Sequence, residues 1–463
     1  MLSFPGVRPP DPRESDGQRT GRRRDLAAAA IAVLFVTAAV LVGRAIQNAD
    51  HTLFVNWPPL LASWDPHLGP GTPAALAVAV AVVAYGPVLA TRLPWRALLL
   101  TAWGASLTWT FSLALVDGWQ RGVAGRLATR HEYLRVIDRF DDIGAALTGF
   151  DQHILIDSPD NWPAHVAGHP PGAVLTFVGL DRIGLGGGAW AGVWCIVLGA
   201  SAVAAVLVTL RTLADGHTAR RAAPFLVLAP AAVWTGTSAD GYFAAVAAWS
   251  VAFLAVAATR TARPPAAFIA GLLFGLACYL SYGLTLVAVP LLAVLLIART
   301  ARPLPLLLAG ALVVPVAFTL AGFNWWEAYR LLVERYHQGA GGVRPYSYWI
   351  WANLAATTFA VGLATVAGLR RALAAAPAAV RGLRTTAASP THRLVVLTLA
   401  ALLAVAVADL SGMSKAETER IWLPFTLWLL PAAALLPTDS RRGWLTAQAA
   451  VALLTNHLLH TGW

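Results

Sequence analysis

Charge is scarce in this chain. Only 12 % of its 463 residues are Asp, Glu, Lys or Arg, about half the ~25 % of a soluble domain. With 57 % of the residues hydrophobic, that shortage excludes a large soluble core and points to a polytopic membrane protein. Cysteine is scarcer still. Cys195 and Cys278 are the two in the chain, and both sit inside apolar runs. They read as small buried hydrophobes and indicate neither a disulfide framework nor a metal site. Lysine is nearly absent: Lys415 is the single lysine among 34 basic residues. The heavy use of Arg and Ala suits a GC-rich bacterial genome. No apolar run carries a charge near its middle, which argues against a proton-coupled pump. No internal repeat of the inverted kind that builds many transporters is visible. The Pro-, Arg- and Asp-rich stretch 1–25 lacks a small-residue cleavage site after a short apolar core. It is expected to be an unstructured cytoplasmic tail and not a cleaved signal peptide.

What is present is hydrocarbon. Apolar runs of spanning length, about 17–25 residues, recur along the chain and predict an all-α protein of about thirteen spans. The short runs 222–238, 284–299, 303–322 and 420–437 are counted among them. The arginines at 19–24 place the N-terminus in the cytoplasm, since cytoplasmic loops carry the excess of Lys and Arg. Alternating from there, the inner segments hold 22 of the 34 basic residues and 6 of the 23 acids. The inner side is then +16 and the outer side −5, which sum to the net charge of +11. The basic excess is an orientation signal and calls for no nucleic-acid partner. The chain divides into the tail 1–25, a two-span addition at 26–95, a main module at 96–437 and a C-terminal span at 438–463.

Polar residues collect on the outer side. The outer loop 118–187, with Asp117 at its edge, holds eight acids and four histidines between Asp117 and Gly172. Asp138, Asp141 and Asp142 form a charge run with Arg139. It reads as a solvated helix face or, alternatively, as a carboxylate site for Mg²⁺, Mn²⁺ or Ca²⁺. His165 and His169 are four apart, but Gly168 and Pro170 oppose the helix that a zinc pair needs. The stretch 170–187 is too short to span and reads as an interfacial helix. Residues 325–337 read as an amphipathic surface helix. Aromatics gather at 323–351, including Tyr346 and Trp349. An interfacial belt or a sugar- or lipid-stacking surface accounts for them. Asp240 either caps the helix that follows it or contacts a substrate.

Four pieces stand in a recognisable order. They are a span ending in Asp117 with Glu132-Tyr133-Leu134 in the loop beyond, then His169-Pro170-Pro171-Gly172, then Thr237-Ser238-Ala239-Asp240-Gly241-Tyr242-Phe243, and last Glu417-Thr418-Glu419-Arg420-Ile421-Trp422-Leu423-Pro424. Over roughly 97–437 the chain resembles the GT-C superfamily of integral-membrane glycosyltransferases, and uncharacterised actinobacterial members most. That superfamily includes protein O-mannosyltransferases, aminoarabinose transferases of lipid A and mycobacterial arabinofuranosyltransferases. The chain departs from the family's Arg-Tyr pattern by placing Ile421 after Arg420. The resemblance implies a bacterial plasma-membrane enzyme with a polyprenyl-phosphate-linked sugar as donor. It also implies a cell-envelope glycan, lipid or protein as acceptor, and catalysis on the extracytoplasmic face. A base must take the acceptor proton; Glu132 is the first candidate and Asp117 the second. Arg420, His169 and Arg344 are candidates for the donor phosphate, because a guanidinium fork binds two phosphate oxygens. Tyr133, Asp240, Tyr346 and Trp349 are candidates for substrate contact. A divalent cation is left open. A transporter or flippase of lipid-linked sugars, and a non-catalytic envelope protein, are the rival readings.

Overall fold

The computed structural model describes the backbone of residues 12–259, 264–383 and 388–462, with side chains from Arg19 onward. The fold is all helical apart from one small strand pair. Its principal helices are α1 (Pro12–Asp50), α2 (Thr72–Arg92), α3 (Trp95–Ala114), α4 (Gly172–Arg182), α5 (Gly188–Leu213), α6 (Gly216–Val227), α7 (Ala239–Thr259), α8 (Pro264–Leu280), α9 (Ala288–Ala298), α10 (Leu304–Leu320), α11 (Trp325–Gln338), α12 (Tyr346–Gly382), α13 (Pro390–Leu410) and α14 (Arg441–Leu458). The exception to helix is β1 (Ala62–Trp64), which pairs antiparallel with β2 (Leu459–Thr461). Helix starts follow local chemistry. Asp215, Asn324 and Ser389 cap α6, α11 and α13 with side-chain oxygens, and Pro94 separates α2 from α3.

Among the described residues, seven helices are long and apolar enough to span a membrane, or eight if the bent pair α10–α11 counts as one. The expected thirteen are therefore not reached. Proline explains much of the shortfall, because it has no N–H to continue a helix. The run 222–238 stops at Val227 before Pro230 and resumes for one turn at Ala232–Thr235. The run 420–437 is broken into short turns around Pro424 and Pro431. The segments α8, α9 and α10 remain helical but short. A second correction concerns the N-terminus. α1 begins at Pro12, inside the stretch 1–25 expected to lack structure, and its Asp25 is buried between Arg370 and Arg371 at 2.7 Å each. Residues 1–11 lie outside the described residues. The expected surface helix at 325–337 is α11, which leaves α10 at an angle of 80°.

Side-chain contacts sort the helix ends into two poles. At one pole Asp25 meets Arg370 and Arg371, Arg220 donates to the carbonyls of Ala90 and Leu93, and Arg393 donates to that of Leu213. At the other, His67 meets Asp117, Arg344 donates to Leu53 and Tyr346 to Leu410. Successive helices run between these poles. A helix such as α2, with 21 residues, covers about 30 Å, the thickness of a bilayer's hydrocarbon.

Two packing devices hold the interior. α8 and α10 approach through glycine: a Cβ on Gly271 would lie 1.9 Å from the Leu307 carbonyl, and one on Gly310 2.1 Å from that of Phe268. Such close backbone contact is how apolar helices gain packing energy in lipid. α12 is broken at Gly362, whose φ is +76°. The fully buried Gln448 fills the gap, donating to the Val361 carbonyl at 2.6 Å and accepting from the Ala364 amide at 3.2 Å.

Candidate active site

The polar loop after α3 is folded, not solvated. Phe140, Phe150 and Trp162 are fully buried and stack with centroids 5.6 and 5.3 Å apart, while the Arg139 guanidinium lies 3.6 Å over the Trp162 ring. Arg335 of α11 donates to the Trp162 carbonyl and Arg182 of α4 to that of Phe140. The loop is thus bolted to two helices by arginines acting on main-chain oxygens. The stretch 170–187 forms a helix over Gly172–Arg182, α4, and it buries Val174, Phe177 and Val178 against this assembly.

Glu132 occupies the inner wall of the loop and is 2 % exposed. The His165 amide donates to the His131 carbonyl, which brings the two limbs of the loop together. One Glu132 oxygen, Oε1, then meets His165 Nδ1 at 2.8 Å. The other, Oε2, is buried with no hydrogen-bond partner. A buried carboxylate oxygen without a donor is costly. Tyr133 stacks on Phe177 with centroids 5.2 Å apart. Its hydroxyl lies 3.2 Å from His169 Nδ1, which in turn lies 2.7 Å from the His165 carbonyl. Burial pushes the His169 imidazole down to about 4, so the ring is neutral at physiological pH.

Arg420 is close enough to Glu132 and His169 to act on them electrostatically. It is 5 % exposed and pairs with Asp240 at the start of α7 through Nη1, and with Glu417 Oε2 at 2.9 Å through Nη2. Burial works against ionisation of Glu417, but the charges of Arg420 and His165 outweigh it and hold the carboxyl below its usual range. Glu419 is buried completely, and only the backbone amides of Glu419 and Leu61 offset its burial. Burial, reinforced by the charge of Glu417, pushes it up to about 7. Glu132, His165, His169, Asp240 and Glu417 all act electrostatically on one another or on Arg420.

The structure therefore brings together Glu132, Tyr133, His169, Asp240 and Arg420, which come from four separated stretches of sequence. It places the remaining candidates elsewhere. Asp117 sits in an ion cluster of its own, with His67 at 2.9 Å, Arg121 at 3.1 Å and Arg126 at 3.4 Å. Arg121 and Arg126 also grip the carbonyls of Thr461 and Gly462, so Asp117 ties the loop to the C-terminal strand. Arg344 donates to the carbonyls of Leu53 and Lys415 and lies 5.7 Å over the buried Trp349 ring. Tyr346 is exposed and donates to the Leu410 carbonyl at 3.3 Å.

The carboxylate run does not gather as a cation site. Asp142 spends Oδ1 as the N-cap of the 143–148 helix. Among the described residues no three His, Cys, Asp or Glu side chains converge on a common point. Asp138, Asp141 and Asp142 thus do not fit a divalent ion. Two residues that matter were not singled out for their roles by the sequence. His165 pairs with Glu132 from 33 positions away, and the only sign of it was membership of the polar loop. Arg126 is buried between Asp117 and the chain terminus, and nothing in its sequence context distinguishes it.

Comparison with known proteins gives similar solved structures and nothing at the level of sequence. No family model matches the chain, and no curated protein does. The apo oligosaccharyltransferase of Archaeoglobus fulgidus is similar over 79 % of this chain and 55 % of its own, with 13 % identity and a TM-score of 0.49. ArnT from Cupriavidus metallidurans, bound to undecaprenyl phosphate, is similar over 72 % of this chain and 60 % of its own, with 15 % identity and a TM-score of 0.42. The chain spans a little over half the length of the archaeal enzyme.

Proposed function

We propose that this chain is a membrane glycosyltransferase of GT-C type that moves a sugar from a polyprenyl-phosphate carrier to a hydroxyl of a cell-envelope acceptor, on the extracytoplasmic face of a bacterial plasma membrane. The observation that carries the reading is the buried Glu132 carboxylate, held through one oxygen by His165 and unpartnered at the other, within electrostatic reach of Arg420 with Asp240 and Glu417. The resemblance of the loop and of the Arg420 segment to the GT-C pattern supports the same reading.

Each residue then has a task. Glu132 Oε2 takes the proton of the acceptor hydroxyl as that oxygen attacks the anomeric carbon. His165 holds the carboxylate in place through Oε1. The bond from the anomeric carbon to the acceptor oxygen forms while the bond to the donor phosphate oxygen breaks, with inversion. The electron pair leaves on polyprenyl phosphate, which needs a cation beside it. Arg420 supplies that cation once the phosphate displaces Glu417, which at 21 % side-chain exposure is the more accessible of its two carboxylate partners. Asp240, at 5 %, stays and orients the guanidinium. His169 is neutral and contributes a hydrogen bond. Tyr133 positions it.

The test uses membranes containing the full chain, labelled polyprenyl-phosphate sugar and an envelope fraction as acceptor. The wild type transfers label to the acceptor and Glu132→Gln does not. Transfer undiminished in a well-expressed Glu132→Gln protein removes Glu132 from the role.

A further inference from the structure

A second apolar feature lies at the arginine pole, away from the loop. A cavity of about 350 Å³ opens between α2, α3 and α6. It is lined by Val82, Tyr85 and Leu89 from α2, by Leu98 and Ala102 from α3 and by Pro224 from α6, among others. α2 is the least enclosed of the spans, with 17 % of its apolar window buried inside the protein. Tyr85 at 65 %, Leu89 at 43 % and Val88 at 38 % exposure form an open side facing where lipid would be. Along α2 the lining runs from Ala81 to Ala90, about 14 Å at 1.5 Å per residue, and continues to Leu93 just beyond the helix. One leaflet's share of the hydrocarbon is about 15 Å, so the cavity matches one acyl chain lying along the membrane normal.

The end of this cavity is charged on one side only. Arg92 and Arg96 stand exposed at the α2–α3 junction. Arg220 closes the top of the cavity by donating to the Ala90 and Leu93 carbonyls at 2.6 and 2.9 Å, and Arg211 lies 4.4 Å over Trp95 in the same turn. Asp215, at the start of α6, is occupied as its N-cap, accepting from the Thr218 amide at 2.6 Å. An apolar slot of leaflet depth ending in arginines fits a lipid whose tail is a single extended chain at this site and whose head carries a phosphate.

We propose that the α2–α3–α6 cavity is a binding site for an anionic phospholipid of the leaflet at the arginine pole, with one acyl chain in the slot and the head-group phosphate at Arg92 and Arg96. The site is separate from Glu132 and stands whatever sugar or acceptor the loop serves. It gives the loosely enclosed α2–α3 hairpin a lipid filler that fixes it against α6.

The full chain, delipidated in mild detergent, is titrated by native mass spectrometry with palmitoyl-oleoyl phosphatidylglycerol, the matching phosphatidylcholine and undecaprenyl phosphate. Phosphatidylglycerol is expected to give a retained one-to-one adduct and phosphatidylcholine a weaker one. Arg92→Gln with Arg96→Gln should weaken the adduct about thirtyfold, at about fivefold per arginine near an anionic head group. Leu89→Trp, which fills the slot from its open side without touching the interior, should abolish it. Equal retention of phosphatidylcholine, displacement by free inorganic phosphate, preference for undecaprenyl phosphate, or an adduct that survives Leu89→Trp would each overturn the proposal.

Discussion

Replacing Glu132 by Gln removes one ionisable oxygen and almost nothing else. The side chain is 2 % exposed and fills the same volume. The amide oxygen can take the place of Oε1 and accept from His165 Nδ1, which the carboxylate meets at 2.8 Å. The amide nitrogen then occupies the position of Oε2, which has no partner to lose. The fold should therefore survive, with a change in melting temperature of only a few degrees. Activity should not. Loss of a positioned base removes about 10²–10⁴-fold in rate, or about 3–5 kcal/mol of transition-state stabilisation at ~1.4 kcal/mol per factor of ten. The assay is transfer from labelled polyprenyl-phosphate sugar at saturating donor, with the melting temperature measured on the same preparation. A loss in kcat with little change in the donor KM is the expected split, because Glu132 acts on the acceptor proton and not on the donor phosphate. A variant that melts normally and transfers within threefold of the wild type would refute the reasoning; so would one whose whole deficit lies in donor KM.

Arg420→Ala leaves Asp240 buried without its cation, which should cost about 3–5 kcal/mol of stability and show as a large drop in melting temperature, whereas Arg420→Lys should keep much of the stability and lose donor binding. His169 is held at about 4 against an ordinary 6.5, so its neutral burial favours the folded state fully above pH 6.5. That contribution is lost as pH falls from 6.5 toward 4, by up to about 3 kcal/mol, and melting curves of His169→Phe should lose this acid limb. Glu419 behaves oppositely: raised to about 7 from 4.5, it disfavours the folded state progressively as pH rises from 4.5 to 7. Glu419→Gln should therefore raise the melting temperature at pH 8 and leave it nearly unchanged at pH 4. Gln448→Leu strands the carbonyl of Val361 and the amide of Ala364 in the broken α12, and should destabilise by about 1–3 kcal/mol per orphaned group.

The helical class was legible because it rests on composition and on the spacing of apolar runs, which act over twenty residues at a time. The number of spans was not. Pro230, Pro424 and Pro431 break apolar runs whose hydropathy alone reads as continuous, so the interior holds several short helices where the sequence suggested whole crossings. The candidate site was legible in part: Glu132, Tyr133, His169, Asp240 and Arg420 come together, whereas Asp117, Arg344, Tyr346 and Trp349 do not join them. Their pairings were not, since no periodicity relates Glu132 to His165 or Arg420 to Asp240, 180 positions apart. Asp117 and Glu132 look alike in sequence as acids of one polar stretch. Only the fold shows that Asp117 is occupied by His67 and two arginines while Glu132 keeps an oxygen without a partner.

The central claim is transfer of a sugar to the cell envelope, and the most direct measurement is mass spectrometry of envelope glycans and lipids from a strain lacking this chain, complemented with either the wild type or Glu132→Gln. The expected result is a glycan short of one sugar in the deletion strain, restored by the wild type and not by Glu132→Gln. An unchanged set of glycans in the deletion strain, or full restoration by Glu132→Gln, would contradict it.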